Sequence, residues 1–580
     1  MRLTGLIGLY VRQNWRPYLL SAMMLASVSA LTVFIPRQVG HIVDGMVAGT
    51  LHPDALPGEL AWLVLAGVAI YFLRVAWRLQ LFTASYRLGA QLRQRLYARL
   101  CLQGPHFFQQ KRTGDLMALA TNDIDSVEMA SGEAMLAGFD GTLTLIMVVA
   151  MMSLGVDMRL AAAALLPFPL MALAFWRISN HIHEASRDSL NAFGALNDHV
   201  QETLTGVRTL RALGLEARSA SSFAALAEAA ASASLRAQRW EAAFEPAVGI
   251  TLVSATALTL GLGGYLVWHG ELTVGALTAF SMYLGQLIWP MFAAGWVLAL
   301  LERGRAAWGR LQPTLDEPLS IEDQGRLPAV LPGALVLDGV SFSYPGHQAL
   351  ALSALHLHLP AGQTLGLVGA TGSGKSSVLR LILRQYTAQS GTIAWGEALL
   401  ADYRLEALNQ AISWVPQEPF LFSASIADNI ALAKPDASRS EVEQAARLAS
   451  IHDDIVRMPQ GYDTPVGEKG VALSGGQRQR VAIARALLTD TQLLLLDDAL
   501  SAVDTQTETD ILQHLRSARA GRTALIVSHR LSAVMDADHI LVLKGGQVSE
   551  EGDHASLLAR DGWYAAQWRY QQLEASLDAV

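Results

Sequence analysis

The sequence predicts a polytopic α-helical membrane domain of six spans, followed by a C-terminal α/β domain built around a phosphate-binding loop. Three observations carry this expectation. Six apolar runs long enough to cross a bilayer occupy the first part of the chain. A proline- and acid-rich stretch after Leu311 ends them. Beyond it, short β-rich runs alternate with helical patterns, and one strand–helix junction reads GATGSGKS, from Gly369 to Ser376.

Composition points the same way. A chain of 580 residues exceeds what one hydrophobic core can organise. It is 52% hydrophobic and 16% charged, where ordinary soluble domains are about 25% charged. The formal net charge of -8 gives no reason to expect nucleic acid as a partner. The single cysteine, Cys101, excludes an intramolecular disulfide framework and any multi-cysteine metal site. It reads as a lone helix-surface thiol.

A bilayer core needs about 20 apolar residues per helix. The candidate spans lie near 18–42, 59–80, 135–155, 159–179, 246–268 and 274–300. Pro36, Pro167, Pro169 and Pro290 interrupt several, which membrane helices tolerate when neighbours satisfy the freed backbone groups. The N-terminal MRLTGLIGLYVRQNWRPYLL lacks a short apolar core with a small-residue cleavage site, so the first long run reads as a retained span. The connections after the first and fifth spans carry no Lys or Arg, and the one after the third carries only Arg159. The segments 87–112 and 177–239 are rich in Arg, so they are expected on the cytoplasmic side with both termini. Both are helix-favouring and read as spans that continue into the cytoplasm and turn back. Short helices are expected at the returns, 112–128 and 203–219. The domains are then a membrane domain over 1–311, a linker over 312–334 and a nucleotide-binding domain over 335–580.

The junction at 369–376 fits G-x-x-x-x-G-K-[ST] and sits between the strand TLGLV and the helical SVLRLILRQY, as that motif requires. Its backbone N–H groups wrap phosphates, and the helix start favours anions. Gly369, Ala370, Thr371, Gly372, Ser373, Gly374, Lys375, Ser376 and Ser377 form the expected cradle for ATP. Lys375 would neutralise the β- and γ-phosphates, and the Ser376 hydroxyl would hold Mg²⁺. Downstream, LLLLD (493–497) delivers Asp497 to the carboxyl edge of a buried strand, a position for a metal partner acting largely through water. LSGGQRQRVAIARAL (473–487) pairs a Ser-Gly-Gly turn with a helix start, another phosphate-binding arrangement.

With this last motif the chain resembles the ATP-binding cassette (ABC) ATPases, whose signature reads LSGGQ. The resemblance extends in order through the cassette. Tyr344 in VSFSYP resembles the aromatic that stacks on adenine. Gln417 in WVPQEPFLF resembles the glutamine that approaches Mg²⁺ and the attacking water. SAVD (501–504), ending in Asp504, resembles the D-loop, and His529 in IVSHR the switch histidine at the γ-phosphate. TPVGEKG (464–470) resembles the exporter-type loop that touches the membrane domain. About six spans fused ahead of one cassette resemble a multidrug-type half-transporter of the ABC exporter group. The stretches RTGDLMALATNDID and LGQLIWPMFA carry that match. In such exporters ATP lies between the P-loop of one chain and the LSGGQ of the other. A single copy of each motif therefore implies a dimer, in which Ser474, Gly475, Gly476 and Gln477 serve the partner's nucleotide.

One position departs from the family pattern. The residue after the metal-binding Asp is Asp498, where the family has a glutamate acting as general base. A proton acceptor must sit within about 2.6–3.2 Å of its donor, and one methylene less reach predicts slow hydrolysis. The signature is intact, an asymmetry that resembles the heterodimeric exporters. The expectation is that this chain's P-loop belongs to a degenerate site and its LSGGQ completes the competent site of a different half-transporter, with ATPase activity mainly in the heterodimer. Two alternatives stay open: a homodimeric lipid flippase or exporter with two equivalent slow sites, and a regulatory subunit that does not transport. The apolar runs exclude a soluble mechanical ATPase.

For the membrane half, the resemblance implies outward movement of an amphipathic drug-like or lipid substrate by alternating access, in a bacterial cytoplasmic membrane. Asp140, near the start of the third span, reads either as a cation-binding cavity residue or as a helix hydrogen-bonding group. Arg74 and Arg78 read as snorkelling side chains. Gln286, Trp289, Phe292 and Trp296 read either as cavity lining or as packing and lipid-facing groups.

Overall fold

The computed structural model describes residues 2–52, 54–467, 473–501, 503, 505–518 and 522–578. It divides into two compact units, Met1–Leu100 with Gly114–Glu317, and Cys101–Thr113 with Pro318–Val580.

The first unit is helical. Among the described residues six helices are long and apolar enough to cross a membrane: Trp15–Val47, Leu56–Cys101, Thr113–Val156, Met158–Thr205, Glu216–Trp268 and Val274–Asp316. Their number is the one the apolar runs predict, and they overrun those runs by many residues, because Ala, Leu, Arg and Glu keep the backbone helical beyond the apolar stretch. The sixth continues through Pro313 to Asp316, past the onset of the proline-rich composition at Leu311. Proline acts where it removes a backbone donor. The fourth span is interrupted at Leu166–Pro167, and the sixth at Leu287, three residues before Pro290. The tight turn after the third span is held by Asp157, whose carboxylate accepts from the N–H groups of Arg159 (2.8 Å) and Leu160 (3.1 Å) at the helix start. An additional helix, Leu3–Gln13, precedes the first span. It buries Leu3, Leu6, Ile7 and Tyr10 at helical spacing, and the Tyr10 hydroxyl donates to the Ala84 carbonyl at 2.8 Å.

The returns differ from expectation in one case. The short helix expected within 112–128 lies earlier, at Pro105–Gln110, and 113–128 already belongs to the third long helix. Gly104 is extended and Pro105 starts the helix with its fixed φ, so the Gly-Pro pair sets the position. This tip belongs to the second unit, where Phe107 is buried and the Gly104 N–H donates to Ser320 Oγ at 3.1 Å. The second return carries a short helix, Val207–Ala212, inside 203–219, with no buried side chain.

The second unit holds two sheets. Its strands are β1 (Leu335–Phe342), β2 (Leu352–Leu359), β3 (Thr364–Gly369), β4 (Ser390–Trp395), β5 (Ala398–Leu399), β6 (Ile412–Val415), β7 (Leu493–Asp497), β8 (Thr523–Val527), β9 (His539–Lys544) and β10 (Gln547–Gly552). The first sheet is antiparallel, in the order β2-β1-β4-β5. The second runs β10-β9-β3-β8-β7-β6 and is parallel except for its β10 edge. Its central strands are buried on both faces. Leu493 and Leu495 pack in the core beneath the antiparallel sheet, while Leu494 and Leu496 pack in the core beneath the helices.

Candidate functional site

The parallel strands deliver several candidate site residues to one edge. In sheet order, β3 ends in the P-loop, β8 leads to Ser528 and His529, β7 ends at Asp497 and Asp498, and β6 leads to Gln417. Ligands of open α/β sheets bind at this carboxyl edge.

The P-loop closes on itself. Gly369 has φ +148, and a Cβ there would lie 2.2 Å from the Leu543 carbonyl oxygen, so the tight turn out of β3 admits only glycine. Lys375 Nζ donates to the carbonyls of Gly369 (2.8 Å) and Ala370 (3.0 Å), and the helix Lys375–Ile382 starts at the loop's end. Burial pushes the Lys375 ammonium below its usual range, against the pull of Asp498 and Asp497. The Ser373 hydroxyl is buried and has no hydrogen-bond partner among the described residues, a group that fits a phosphate oxygen.

Ser376 and Asp497 come together as expected: Ser376 Oγ donates to Asp497 Oδ1 at 3.0 Å. Burial pushes the Asp497 carboxyl above the usual carboxylate range. The bond from Ser376 opposes that shift, and the neighbouring Asp498 charge adds to it. A hydroxyl and a desolvated carboxylate fit a hard divalent cation such as Mg²⁺. Gln417 is exposed on the loop after β6, with its carbonyl 3.5 Å from Gln479 Nε2.

Asp498 sits beside this pair in an unusual backbone state, with φ +47. Its carboxylate is buried, and Oδ1 accepts from the His529 backbone N–H at 3.3 Å. Its N–H donates to the Val527 carbonyl at 2.8 Å, and its own carbonyl accepts from the N–H (3.2 Å) and hydroxyl (2.9 Å) of Ser501. The short carboxylate is thus directed towards the β8 edge by its own backbone. His529 is exposed, and its carbonyl accepts from Gln571 Nε2 at 2.8 Å. Asp504 and the Glu468–Gly470 part of TPVGEKG lie outside the described residues.

Tyr344 is half-buried. Its hydroxyl lies 2.9 Å from Ser377 Oγ and accepts from Arg380 Nη1 at 3.1 Å, and the Arg380 guanidinium lies 5.7 Å from the ring centre. Phe342 and Tyr386 meet it edge to face at 4.9 and 5.3 Å. The ring is fixed beside the P-loop helix, where an adenine could stack.

The signature residues form a separate group. Ser474 caps the helix Gly475–Leu487 in a reciprocal box: its hydroxyl accepts from the Gln477 N–H at 3.2 Å, and Gln477 Oε1 accepts from the Ser474 N–H at 3.0 Å. This leaves the Gly475 and Gly476 N–H groups as the first-turn donors without intrahelical acceptors. Among the described residues no hydrogen bond joins Ser474–Gln477 to the P-loop. Sequence reading missed one connector on the same helix. Gln479 is buried, and its Nε2 reaches Ser501 Oγ (3.1 Å) as well as the Gln417 carbonyl. Only the tertiary fold reveals it, because nothing in GGQRQR separates that glutamine from its neighbours.

Residues 18–291 match the ABC transporter transmembrane region family, and residues 352–501 match the ABC transporter family. The chain is 43% identical to the multidrug resistance-like ATP-binding protein MdlA of Escherichia coli (strain K12), over 100% of this chain and 98% of that protein. It is 38% identical to the probable multidrug resistance ABC transporter ATP-binding/permease protein YheI of Bacillus subtilis (strain 168), over 98% of this chain and 97% of that protein. Its fold matches the structure of a bacterial Atm1-family ABC exporter with ATP bound, at a TM-score of 0.80 and 30% identity, covering 97% of this chain and 98% of the other.

Proposed function

Because the chain belongs to the ABC transporter family, with the family's membrane region and ATPase on one polypeptide, we propose that it is one half of an ATP-driven exporter of amphipathic drug-like or lipid molecules. In this reading it resides in a bacterial cytoplasmic membrane, with its cassette on the cytoplasmic side. Its dimer alternates between inward and outward access. The cradle Gly369–Ser377 and Tyr344 bind ATP, and Ser376, Asp497 and Gln417 hold Mg²⁺, which supplies charge neutralisation at the phosphates. Water attacks the γ-phosphorus, the bond to ADP breaks, and Asp498 accepts the water's proton while His529 contacts the γ-phosphate.

The finer proposal is that this P-loop serves a degenerate site in a heterodimer. The observation that carries it is one contrast within a single cassette. The signature cap is complete through Ser474 and Gln477, whereas the base position holds a short carboxylate drawn back to the His529 N–H. A partner whose deviant signature falls in the same composite site would leave the other site intact. A specific observation also favours a second reading. Asp498 keeps a carboxylate, and Gln417 and His529 are both present, as a homodimer with two slow sites would need.

The two readings separate in one experiment. The chain is purified from membranes alone and with a second half-transporter that carries Glu at its own base position. Slow turnover alone, fast turnover of the pair, and little effect of Asp498→Asn in the pair are expected. Robust turnover by the chain alone that Asp498→Asn abolishes would overturn the heterodimer.

A further inference from the structure

His529 is exposed, and among the described residues its ring makes no hydrogen bond. Its aim is therefore set by the two peptide units that flank its Cα. A planar peptide held at its polar groups fixes the direction of the adjoining Cα–Cβ bond. The first unit is held where the His529 N–H donates to Asp498 Oδ1 at 3.3 Å. The second is held at both ends. The Arg530 N–H donates to Ser528 Oγ at 3.0 Å, and the His529 carbonyl accepts from Gln571 Nε2 at 2.8 Å. Gln571 Oε1 also accepts from the Leu531 N–H at 2.9 Å, and the Leu531 side chain is buried in the core. The same carboxamide thus grips a fixed point of the loop and the carbonyl of the histidine itself.

Gln571 comes from the helix Trp563–Asp578, which is seated by its first two turns. The N–H groups of Trp563 and Tyr564 donate to the Glu550 carboxylate at 2.6 and 3.2 Å. Tyr564 is buried, with its hydroxyl 2.8 Å from His554 Nδ1, and the Trp568 ring meets His554 edge to face at 4.6 Å. Tyr564, Trp568 and Gln571 follow at spacings of four and three, so one helix face carries the anchors and the glutamine. A carboxamide has a donor and an acceptor on one rigid group, which matches a carbonyl and an N–H two residues apart. A carboxylate would set an oxygen against the carbonyl, and a thioether would offer no donor. The His529 carbonyl lies at the exposed end of this contact, where water could satisfy it as well. What the glutamine adds beyond water is direction. We propose that Gln571 is a positioning residue for the switch histidine, by which this helix aims His529 at the γ-phosphate. The inference rests on the exporter reading, in which His529 contacts that phosphate, and adds a residue to its ATP site.

The test uses the full chain in the dimer it forms, in nanodiscs. This chain's P-loop is photolabelled by an azido-ATP, and the label is competed by Mg²⁺–AMP-PNP or Mg²⁺–ADP. AMP-PNP carries a γ-phosphate and ADP does not, so the ratio of the two affinities reads the His529 contact without turnover. Gln571→Met keeps the length of the side chain and removes both bonds. It is expected to weaken AMP-PNP about tenfold, the order of one hydrogen bond to a charged group, and to leave ADP within about twofold of wild type. His529→Ala should reproduce that loss, and Gln571→Met added to it should cost nothing more, because the glutamine acts only through the ring. Unchanged AMP-PNP affinity in Gln571→Met overturns the inference. So does equal loss of both nucleotides, the mark of a packing role, or a full loss added on top of His529→Ala. Should Gln571→Met fail to reach the membrane, Gln571→Glu carries the test. It keeps the Leu531 bond and sets an oxygen against the His529 carbonyl, so the same selective fall is expected, and no selective fall overturns the assignment. Failure of the exporter reading looks different: the nucleotide selectivity responds as expected while the wild-type dimer neither hydrolyses ATP nor moves a substrate.

Discussion

Asp498→Glu isolates the reach of the base. The change adds one carbon–carbon bond, about 1.5 Å, to a carboxylate that now ends 3.3 Å from the His529 N–H. A misplacement near 1 Å costs about 100-fold in rate, or about 2.7 kcal/mol at 1.36 kcal/mol per decade. The backbone opposes the change in a separate quantity. Position 498 has φ +47, a conformation that short Asp tolerates better than a longer side chain, with a penalty of about 1 kcal/mol. That penalty is shared by the ground and transition states of the folded protein, so it lowers stability and leaves the barrier alone. Turnover at this chain's own P-loop should rise by up to about 100-fold, the full rise requiring an intact signature from the partner, while the unfolding midpoint falls about 2–4 °C for a domain of this size. The assay is ATP hydrolysis by the assembled transporter in a Ser474→Ala background, which silences the site completed by this chain's signature. Unchanged turnover with unchanged ATP affinity would refute the claim that reach limits hydrolysis.

Ser474→Ala alone removes the cap of the signature helix, at about 1 kcal/mol, together with a phosphate-facing hydroxyl. It should lower ATPase of the assembled pair about 100-fold while photolabelling of this chain's P-loop by an azido-ATP stays at the wild-type level. Gly369→Ala drives a Cβ to within 2.2 Å of the Leu543 carbonyl, so ATP binding should vanish and calorimetry should show a loss of about 1–3 kcal/mol. Burial holds His554 below the usual imidazole range, with its Nδ1 2.8 Å from the Tyr564 hydroxyl. A histidine with a lowered folded pKa binds more protons when unfolded, so its contribution is complete above about pH 6.5 and is lost as pH falls towards the folded pKa. Thermal unfolding at pH 5 and pH 7 should therefore differ less in His554→Gln than in wild type.

The membrane half was legible in number and not in extent. A bilayer demands a minimum apolar length, so the six runs stand out. Nothing in that demand marks where a helix ends once it has left the lipid. Leu56–Cys101 carries Arg74, Arg78, Arg87 and Arg93 without a break. The return at Pro105–Gln110 did have a signal, the Gly104-Pro105 pair, which the polar RTGD stretch outweighed in a reading by composition. Leu3–Gln13 also had one, the spacing of Leu3, Leu6, Ile7 and Tyr10, in a run too short to register as a span. In the cassette the phosphate-facing elements were legible because each parallel strand ends in its own motif at one edge, and the strand order follows from their pairing.

What the sequence does not encode locally is the backbone state of Asp498 and the wiring around it. Its left-handed φ stands between a bond to the Val527 carbonyl, which belongs to another strand, and a local turn closed by Ser501 three residues on. Gln479 then ties Ser501 to the helix that begins at Ser474. The same helix that presents the signature therefore touches the turn that aims this chain's own base. In a dimer whose sites each combine one P-loop with the other chain's signature, a nucleotide gripped by Ser474–Gln477 would load that helix, and the Gln479–Ser501–Asp498 chain of bonds offers a path by which it would bear on hydrolysis at the other site. Gln479→Leu leaves both sets of phosphate ligands in place and cuts that path. It should lower the cooperativity of ATP hydrolysis by the pair without weakening ATP binding at either P-loop, and unchanged cooperativity would refute the coupling.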